Sequence, residues 1–449
     1  MKLFDRAALQ SGVAPREVAA WSLYDFANSG YTTVVLTAVF SAYFVNVVAG
    51  GADWATLAWT LALSFSSLLI MLTAPAIGAW ADAKGNKKLL IAVCTIGCVV
   101  GTVGLYFAQP GTVALALVLI IASNYFFSMG ETINAAFLPE LAKSEAMGKV
   151  SGWGWGVGYL GGMLTLGLCL AWVINAQGAG QSAAEFVPVT MLITALMFAI
   201  AALPLFLILK ERAVINHSSD HPVTVSGALA ASFRQLRNSW RESKQFPDFL
   251  RLLYCGFSYQ AGISVVIALA AIYAEQVMGF QQSDTMMLIF LVNIAAALGA
   301  FAFGYAQDWM GHRLALAITL AGWIVMVLLA GIGESVGLFW VAAGLAGLCM
   351  GSSQSAGRAI AGLLAPADRR AEFFGLWAFA TRLSAVIGPV TYGLVTWLTS
   401  GNHRLAILLT GLFFVGGLLL LKGLNVERGR QTALNASASD QASAPAQPT

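Results

Sequence analysis

The sequence predicts an all-α polytopic membrane protein, with twelve transmembrane helices in two parallel six-helix repeats. Three observations predict it. Of 449 residues 58% are hydrophobic and 10% charged, with a mean hydropathy of +0.76, more apolar surface than one water-soluble core encloses. Apart from Arg358, Arg382 and Arg404, every Lys and Arg falls on one side of a ladder of apolar runs. A basic hairpin in the first half recurs in degenerate form in the second, Gly78 answering Gly304 at an offset of 226.

A leader, 1–17, carries Lys2, Arg6 and Arg16 and lacks the pattern of a removable signal peptide. Spans are expected near 18–48, 55–80, 88–108, 112–138, 150–175 and 187–209, then 249–274, 285–306, 313–332, 337–363, 372–399 and 403–423. They group into six-helix bundles at 18–210 and 249–425. The basic leader, even-to-odd loops, linker and tail place both termini in the cytosol by the positive-inside rule, in a cell (inner or plasma) membrane. Asp53, Glu185, Glu275, Asp284 and Glu334 mark the outer loops. The five cysteines lie inside apolar runs and imply no disulfide framework.

The halves repeat in one orientation. Pro139, Glu145 and Gly148 answer Pro366, Glu372 and Gly375 at an offset of 227, and Tyr24 heading span 1 is paired with Tyr254 in span 7. Parallel halves of this kind place a site near the midplane between them. The connecting segment, 211–248, is polar and basic, with Leu229, Phe233, Leu236 and Trp240 at helical spacing. It reads as an amphipathic helix on the inner leaflet, serving as tether and anchor. The tail, 426–449, is rich in Ala, Ser, Gln, Asp and Pro and is expected to be disordered.

The first hairpin reads Gly78-Ala-Trp-Ala-Asp82-Ala-Lys84-Gly85-Asn-Lys87-Lys88; the second runs from Gly304 through Asp308 to Gly311-His-Arg313. Gly78 permits close helix approach, Asp82 can accept from the N–H groups of another helix's first turn, and the cations hold the turn at the cytosolic surface. The expected target of Asp82 is the start of span 11, near Glu372 to Leu376. This pattern resembles the loop between the second and third helices of the major facilitator superfamily.

Four charges fall inside the expected hydrocarbon region: Asp25, Glu131, Arg358 and Arg382. Each is too costly to face lipid, so each is paired or functional. Asp25, Asn28, Ser29 and Thr32 share one face of span 1; Asn124, Ser128 and Glu131 share one of span 4; Gly347, Gly351, Gln354 and Arg358 line up on span 10. These stripes define the expected substrate or coupling site. Both acids lie in the first half and both arginines in the second, about 8 to 15 Å from the cytosolic helix ends. Glu131 plus 227 lands on Arg358, so a charge cluster that differs between access states is expected.

Span 5 carries Gly152-Trp-Gly154-Trp-Gly156-Val-Gly158-Tyr-Leu-Gly161-Gly162, small residues suited to a close helix crossing. It resembles the glycine motif of antiporters in the superfamily, with Tyr159 where that motif has proline. Tyr24-Asp25-Phe26-Ala27-Asn28-Ser29, Gly351-Ser-Ser-Gln354-Ser-Ala-Gly-Arg358 and Glu372-Phe-Phe-Gly375-Leu resemble the vacuole-effluxer family, over about residues 18 to 425. That likeness implies a secondary transporter working by alternating access and exporting amino acids or related metabolites.

Proton coupling through Asp25 or Glu131 competes here with plain facilitated passage. The rival classes are a transporter-like sensor or scaffold that moves nothing, and a transporter of amphiphiles or drugs. The four histidines fall outside the expected spans and no catalytic triad or metal constellation is visible, so an enzyme is not expected. Nor is a cofactor or nucleic-acid partner. The expected partners are a small solute and the bilayer, and the protein is expected to be monomeric.

Overall fold

The structure is a computed structural model that describes residues 4–443 apart from 85, 136, 144–146, 213–233, 235, 236, 238, 239 and 367–369. Among the described residues, 12 helices are long and apolar enough to cross a membrane. They are α1 (Pro15–Val48), α2 (Ala55–Lys84), α3 (Lys87–Gly104), α4 (Val113–Ala135), α5 (Met147–Gly178) and α6 (Ala183–Ile208), followed by α7 (Pro247–Met278), α8 (Gln282–Met310), α9 (His312–Ile332), α10 (Val336–Leu364), α11 (Arg370–Leu398) and α12 (His403–Lys422). A further helix, α13 (Val426–Ser443), closes the chain.

Several helix starts follow from short polar residues. Ser182 and Glu185 form a capping box on α6, Ser335 accepts from the Leu338 N–H at 3.2 Å, and Asn402 accepts from the Leu405 N–H at 2.9 Å. Gly111 and Gly311 turn the chain with φ of +84°.

Helix α1 is the most enclosed, with 72% of its apolar window buried against 33–56% for the others. It is α-helical to Tyr31 and again over Phe40–Tyr43. From Thr32 to Ala38 it widens to a π-helix, Val39 breaks it (φ −122°, ψ −63°), and Phe44–Val48 is π-helical again. The run Thr32-Thr33-Val34-Val35 crowds the regular ladder with β-branched side chains, and the Thr32 hydroxyl donates back to the Asn28 carbonyl at 3.1 Å. A widened ladder leaves carbonyls to be satisfied by neighbours, a cost met at sites of function.

Two compact units form, and they do not coincide with the sequence halves. The first holds Met1–Ala230 with Ile267–Phe290 and Thr396–Gly401; the second holds Ala231–Val266, Leu291–Val395 and Asn402–Thr449. In the first, α1 packs against α5 and α6, and α4 against α2 and α3. In the second, α9 packs against α10 and α12, with the Trp323 and Phe414 rings stacked at 5.0 Å.

The same internal contacts recur in each unit. A Cβ on Gly130 of α4 would collide with the Tyr24 hydroxyl, and one on Gly357 of α10 with the Tyr259 hydroxyl. A Cβ on Gly161 of α5 would strike the Phe26 carbonyl, and one on Gly388 of α11 the Ala261 carbonyl. The glycines keep the offset of 227, whereas the first helices repeat at 235. Tyr24 is therefore answered by buried Tyr259, not by Tyr254, which is 49% exposed and meets Trp240 edge-on.

Three further expectations change. The tail is helical from Val426: Asn425 accepts from the Arg428 N–H, Arg428 makes two 2.7 Å bonds to buried Asp248, and Ala433 is 3% exposed. An alanine-rich segment with a capped, ion-paired start has a reason to be helical that composition hides. Glu275 is not in a loop but in the last turns of α7. His403, grouped with the histidines outside the spans although it begins the expected 403–423 run, is the buried first residue of α12, its Nδ1 3.0 Å from the Tyr392 hydroxyl. Of the amphipathic linker, Leu229, Phe233 and Leu236 lie outside the described residues.

Candidate solute site in the first unit

The glycine run of α5 meets α1 along one face. Cβ atoms on Gly154, Gly158 and Gly162 would sit 2.5 Å from the Asp25 Oδ2, 2.9 Å from the Ser29 Oγ and 2.8 Å from the Thr33 Oγ1. Gly156, on the other side, has nothing within 4 Å. Only glycine allows the crossing, and the crossing sets Asp25 and Ser29 against the α5 backbone.

Asp25 is held from α4. Asn134 Nδ2 donates to its Oδ1 at 3.0 Å, the Trp21 indole donates to the Asn134 backbone carbonyl at 2.9 Å, and the Glu131 carboxylate lies within electrostatic range. Tyr24 and Tyr31 brace the same face, their hydroxyls 3.1 Å from Thr95 Oγ1 and 2.7 Å from Ser123 Oγ, with Tyr31 stacked on Phe127 at 4.8 Å. Asn124 and Ser128 are buried on the α4 stripe.

Asn28 is the unusual member. It is 5% exposed, yet neither its Oδ1 nor its Nδ2 has a hydrogen-bond partner in the protein; the Asn134 Oδ1 lacks one too. A buried polar atom left unbonded costs about 1–3 kcal/mol, so the Asn28 amide and the Asn134 oxygen have bonding capacity that the protein itself does not use.

Structure thus gathers Asp25, Asn28, Ser29, Glu131 and the stripe residues Asn124 and Ser128 on α1 and α4 of one unit. Asn134 was not singled out in the sequence, although it continues the Asn124, Ser128, Glu131 stripe by one more i+3 step. In the second unit Gln354 is bonded reciprocally to Gln260 of α7 at 3.0 and 3.2 Å, while Arg358 is exposed and Arg382 half-buried. Gln260 was also missed, a lone amide in the apolar run of span 7; at the offset of 235 it answers Asp25.

The basic hairpin does more than hold a surface turn. Lys87 is buried and pairs with Glu140 at 3.0 Å, while Lys88 donates to the Phe206 and Leu209 carbonyls that end α6, at 2.9 and 2.8 Å. Arg212 pairs with Glu17 at 2.8 Å, and that bond raises the guanidinium further above its ordinary range. Leader residues join this collar, Leu9 bridging to Ala142. Arg313 of the second copy donates to the Leu421 and Lys422 carbonyls at 3.3 and 2.7 Å. Gly78 and Gly304 lie within α2 and α8; Gly85 and the side chains of Asp82, Asp308 and Glu372 lie outside the described residues.

Twelve spans in two repeats, joined by glycine-mediated crossings around polar α1 and α4 faces, define a transporter of the major facilitator class. Residues 45–434 match the family model described as vacuole effluxer Atg22 like, and the chain belongs to that family. It is 25% identical over 415 residues to an uncharacterized MFS-type transporter, YxiO, of Bacillus subtilis, covering 90% of this chain and 93% of that one. It is 20% identical over 410 residues to autophagy-related protein 22 of Eremothecium gossypii, covering 85% and 79%. Among solved structures, a bacterial homolog of the human lysosomal transporter Spinster, inward-facing and unoccupied, superposes with a TM-score of 0.69 at 17% identity over 94% of this chain and 99% of that one. A D-xylose-proton symporter gives 0.67 at 13% over 92% and 98%. At these identities the likeness to solved structures shows the fold.

Proposed function

We propose that the chain exports a small zwitterionic solute, an amino acid or related metabolite, by alternating access, with the solute bound at Asp25, Asn28 and Asn134. The observation that carries this reading is the Asn28 amide, buried with both polar atoms unbonded. An amide offers one acceptor and two donors, which suits a group carrying both ammonium hydrogens and carboxylate oxygens. Asp25 supplies the complementary negative charge. Membership in a family of effluxers supports the direction.

Proton coupling is assigned to Asp25 and Glu131, the two acids carried inside the α1 and α4 spans. The membrane is the cell membrane, with both termini cytosolic, and the protein acts as a monomer. Pairing of the first-half acids with Arg358 and Arg382 in one access state rests on the sequence; non-additive transport effects of Glu131→Gln with Arg358→Gln support it, and strict additivity removes it.

The test is a thermal-shift screen of purified protein against amino acids, dipeptides, sugars and amphiphiles. A ligand at a hundred times its dissociation constant stabilises by about 2.7 kcal/mol. A stabilising amino acid whose effect is lost in Asn28→Leu is expected. Stabilisation by amphiphiles alone, or an effect indifferent to Asn28, overturns the proposal.

A further inference from the structure

A second buried polar cluster lies in the first unit, at the end opposite the basic hairpins. Glu275 of α7 accepts from Asn46 Nδ2 at 2.7 Å through Oε2, and Gln276 Nε2 donates to Asn46 Oδ1 at 2.5 Å. Its other oxygen, Oε1, is out of solvent and has no hydrogen-bond partner. Thr285 of α8 is fully buried beside that carboxylate, and its hydroxyl also lacks a hydrogen bond of standard geometry. The hydroxyl's own hydrogen can turn toward Oε1, so what the pair lacks is not a hydrogen but a positive charge to balance the carboxylate.

No cation of the protein fills that role: among the described residues Glu275 has no Lys or Arg partner. On the neighbouring elements, Asp284 and Glu185 are themselves acids and are engaged. Asp284 of α8 accepts from the Gln281 N–H at 3.2 Å, and Glu185 of α6 accepts from the Ser182 N–H and hydroxyl at 2.7 and 2.8 Å. Helix α1 offers Asn46 and Tyr43, whose hydroxyl donates to the Ala108 carbonyl at 2.8 Å. A bare carboxylate at the end of a membrane helix with neither counter-ion nor full hydrogen bonding is an expensive arrangement.

Two features tie the cluster to the working parts. A pocket of about 480 Å³, lined by Asn46, Glu275, Gln181 and Gln282 among others, adjoins it and provides a path for a small ion. The α1 break lies alongside: Gln282 Nε2 donates to the Ala38 carbonyl at 3.1 Å, one of the groups left by the irregular ladder. Helix α1 is the same helix that carries Asp25 and Asn28.

We propose that Glu275 and Thr285 form a binding site for one small positive charge, a proton or a sodium ion, separate from the Asp25 and Glu131 pair and coupled to the irregular half of α1. A proton on Oε1 makes the O–H bond that donates to the Thr285 hydroxyl; a sodium ion takes both oxygens as ligands. Either neutralises the carboxylate without breaking the Asn46 bond, which ties α7 to the irregular half of α1.

The experiment melts the purified full-length protein across mildly acidic to mildly basic pH in choline chloride, and at fixed pH with sodium replacing choline. Wild type, Glu275→Gln and Thr285→Val are compared. The Gln amide can donate to Thr285 as a protonated acid does, so this variant is expected to fold while losing the wild-type response; Thr285→Val is expected to weaken that response and serves alone if the Gln variant is not monodisperse. Loss of the pH response identifies the proton, and loss of the sodium response identifies the ion. Undiminished responses to both in the variants, or a wild type indifferent to both, overturn the site. None of these readouts requires a transported solute, so failure here and failure of the solute site are separable.

Discussion

Replacing Asn28 by Leu should make the protein more stable and at the same time unable to bind its solute. The side chain is 5% exposed and both its polar atoms are unbonded, so folding strips the amide of water and returns nothing. At about 1–3 kcal/mol for each atom the penalty is about 2–6 kcal/mol, and buried water would lower it toward the smaller figure. Leucine has nearly the same shape and leaves the Thr32 hydroxyl bond to the residue 28 backbone carbonyl in place. The expected gain is about 2–4 kcal/mol, and each kcal/mol raises the midpoint by about 2–4 °C in a unit of this size. Melting is followed by intrinsic fluorescence with and without the stabilising solute from the screen. A variant that melts lower than wild type would show the amide to be bonded in the folded protein. One that melts higher but keeps its ligand shift would remove Asn28 from the site.

The α1 to α5 crossing predicts a contrast within one glycine run: Gly161→Ala drives a methyl into the Phe26 backbone and should cost about 1–3 kcal/mol in midpoint, whereas Gly156→Ala meets open space and should be neutral or slightly stabilising. Arg428→Ala strips buried Asp248 of its partner and should expose residues 425 to 433 to hydrogen exchange and proteolysis while the twelve spans stay protected. For topology, a cysteine placed at exposed Asn86 should resist an impermeant reagent in intact cells and one at exposed Asp53 should label; the reverse pattern inverts the orientation.

The twelve spans were legible because a membrane helix writes itself as a long uncharged run, and the repeat because glycine pins two helices at one place in each half. Gly130 with Gly357 and Gly161 with Gly388 keep one offset, and sequence alone finds it from the Pro139 and Pro366 segments. Tyr254 misled because the eye pairs like residues. The conserved contact is a hydroxyl over a glycine, which only packing reveals, and it selects Tyr259.

At the site, Asp25, Asn28 and Glu131 stood out because polar groups in apolar helices are costly. Asn134 did not, although it bonds Asp25, since it sits where the expected span meets its loop and an asparagine there needs no explanation. Glu275 was read as a loop acid for the same reason. Distance from the helix end does not tell whether the next helix covers a residue. The tail helix was missed because its stability comes from Asp248, 180 residues upstream of Arg428, and no local pattern reports a partner that remote.

The central claim is that this chain moves a small zwitterionic solute through a site built on α1 and α4. Flux into proteoliposomes of the amino acid identified by the melting screen tests it most directly, with wild type and Asn28→Leu reconstituted to equal density. Saturable uptake by wild type above protein-free vesicles, and background uptake by the more stable variant, are expected. Equal flux through both, or no flux through wild type of a solute that demonstrably stabilises it, would contradict it.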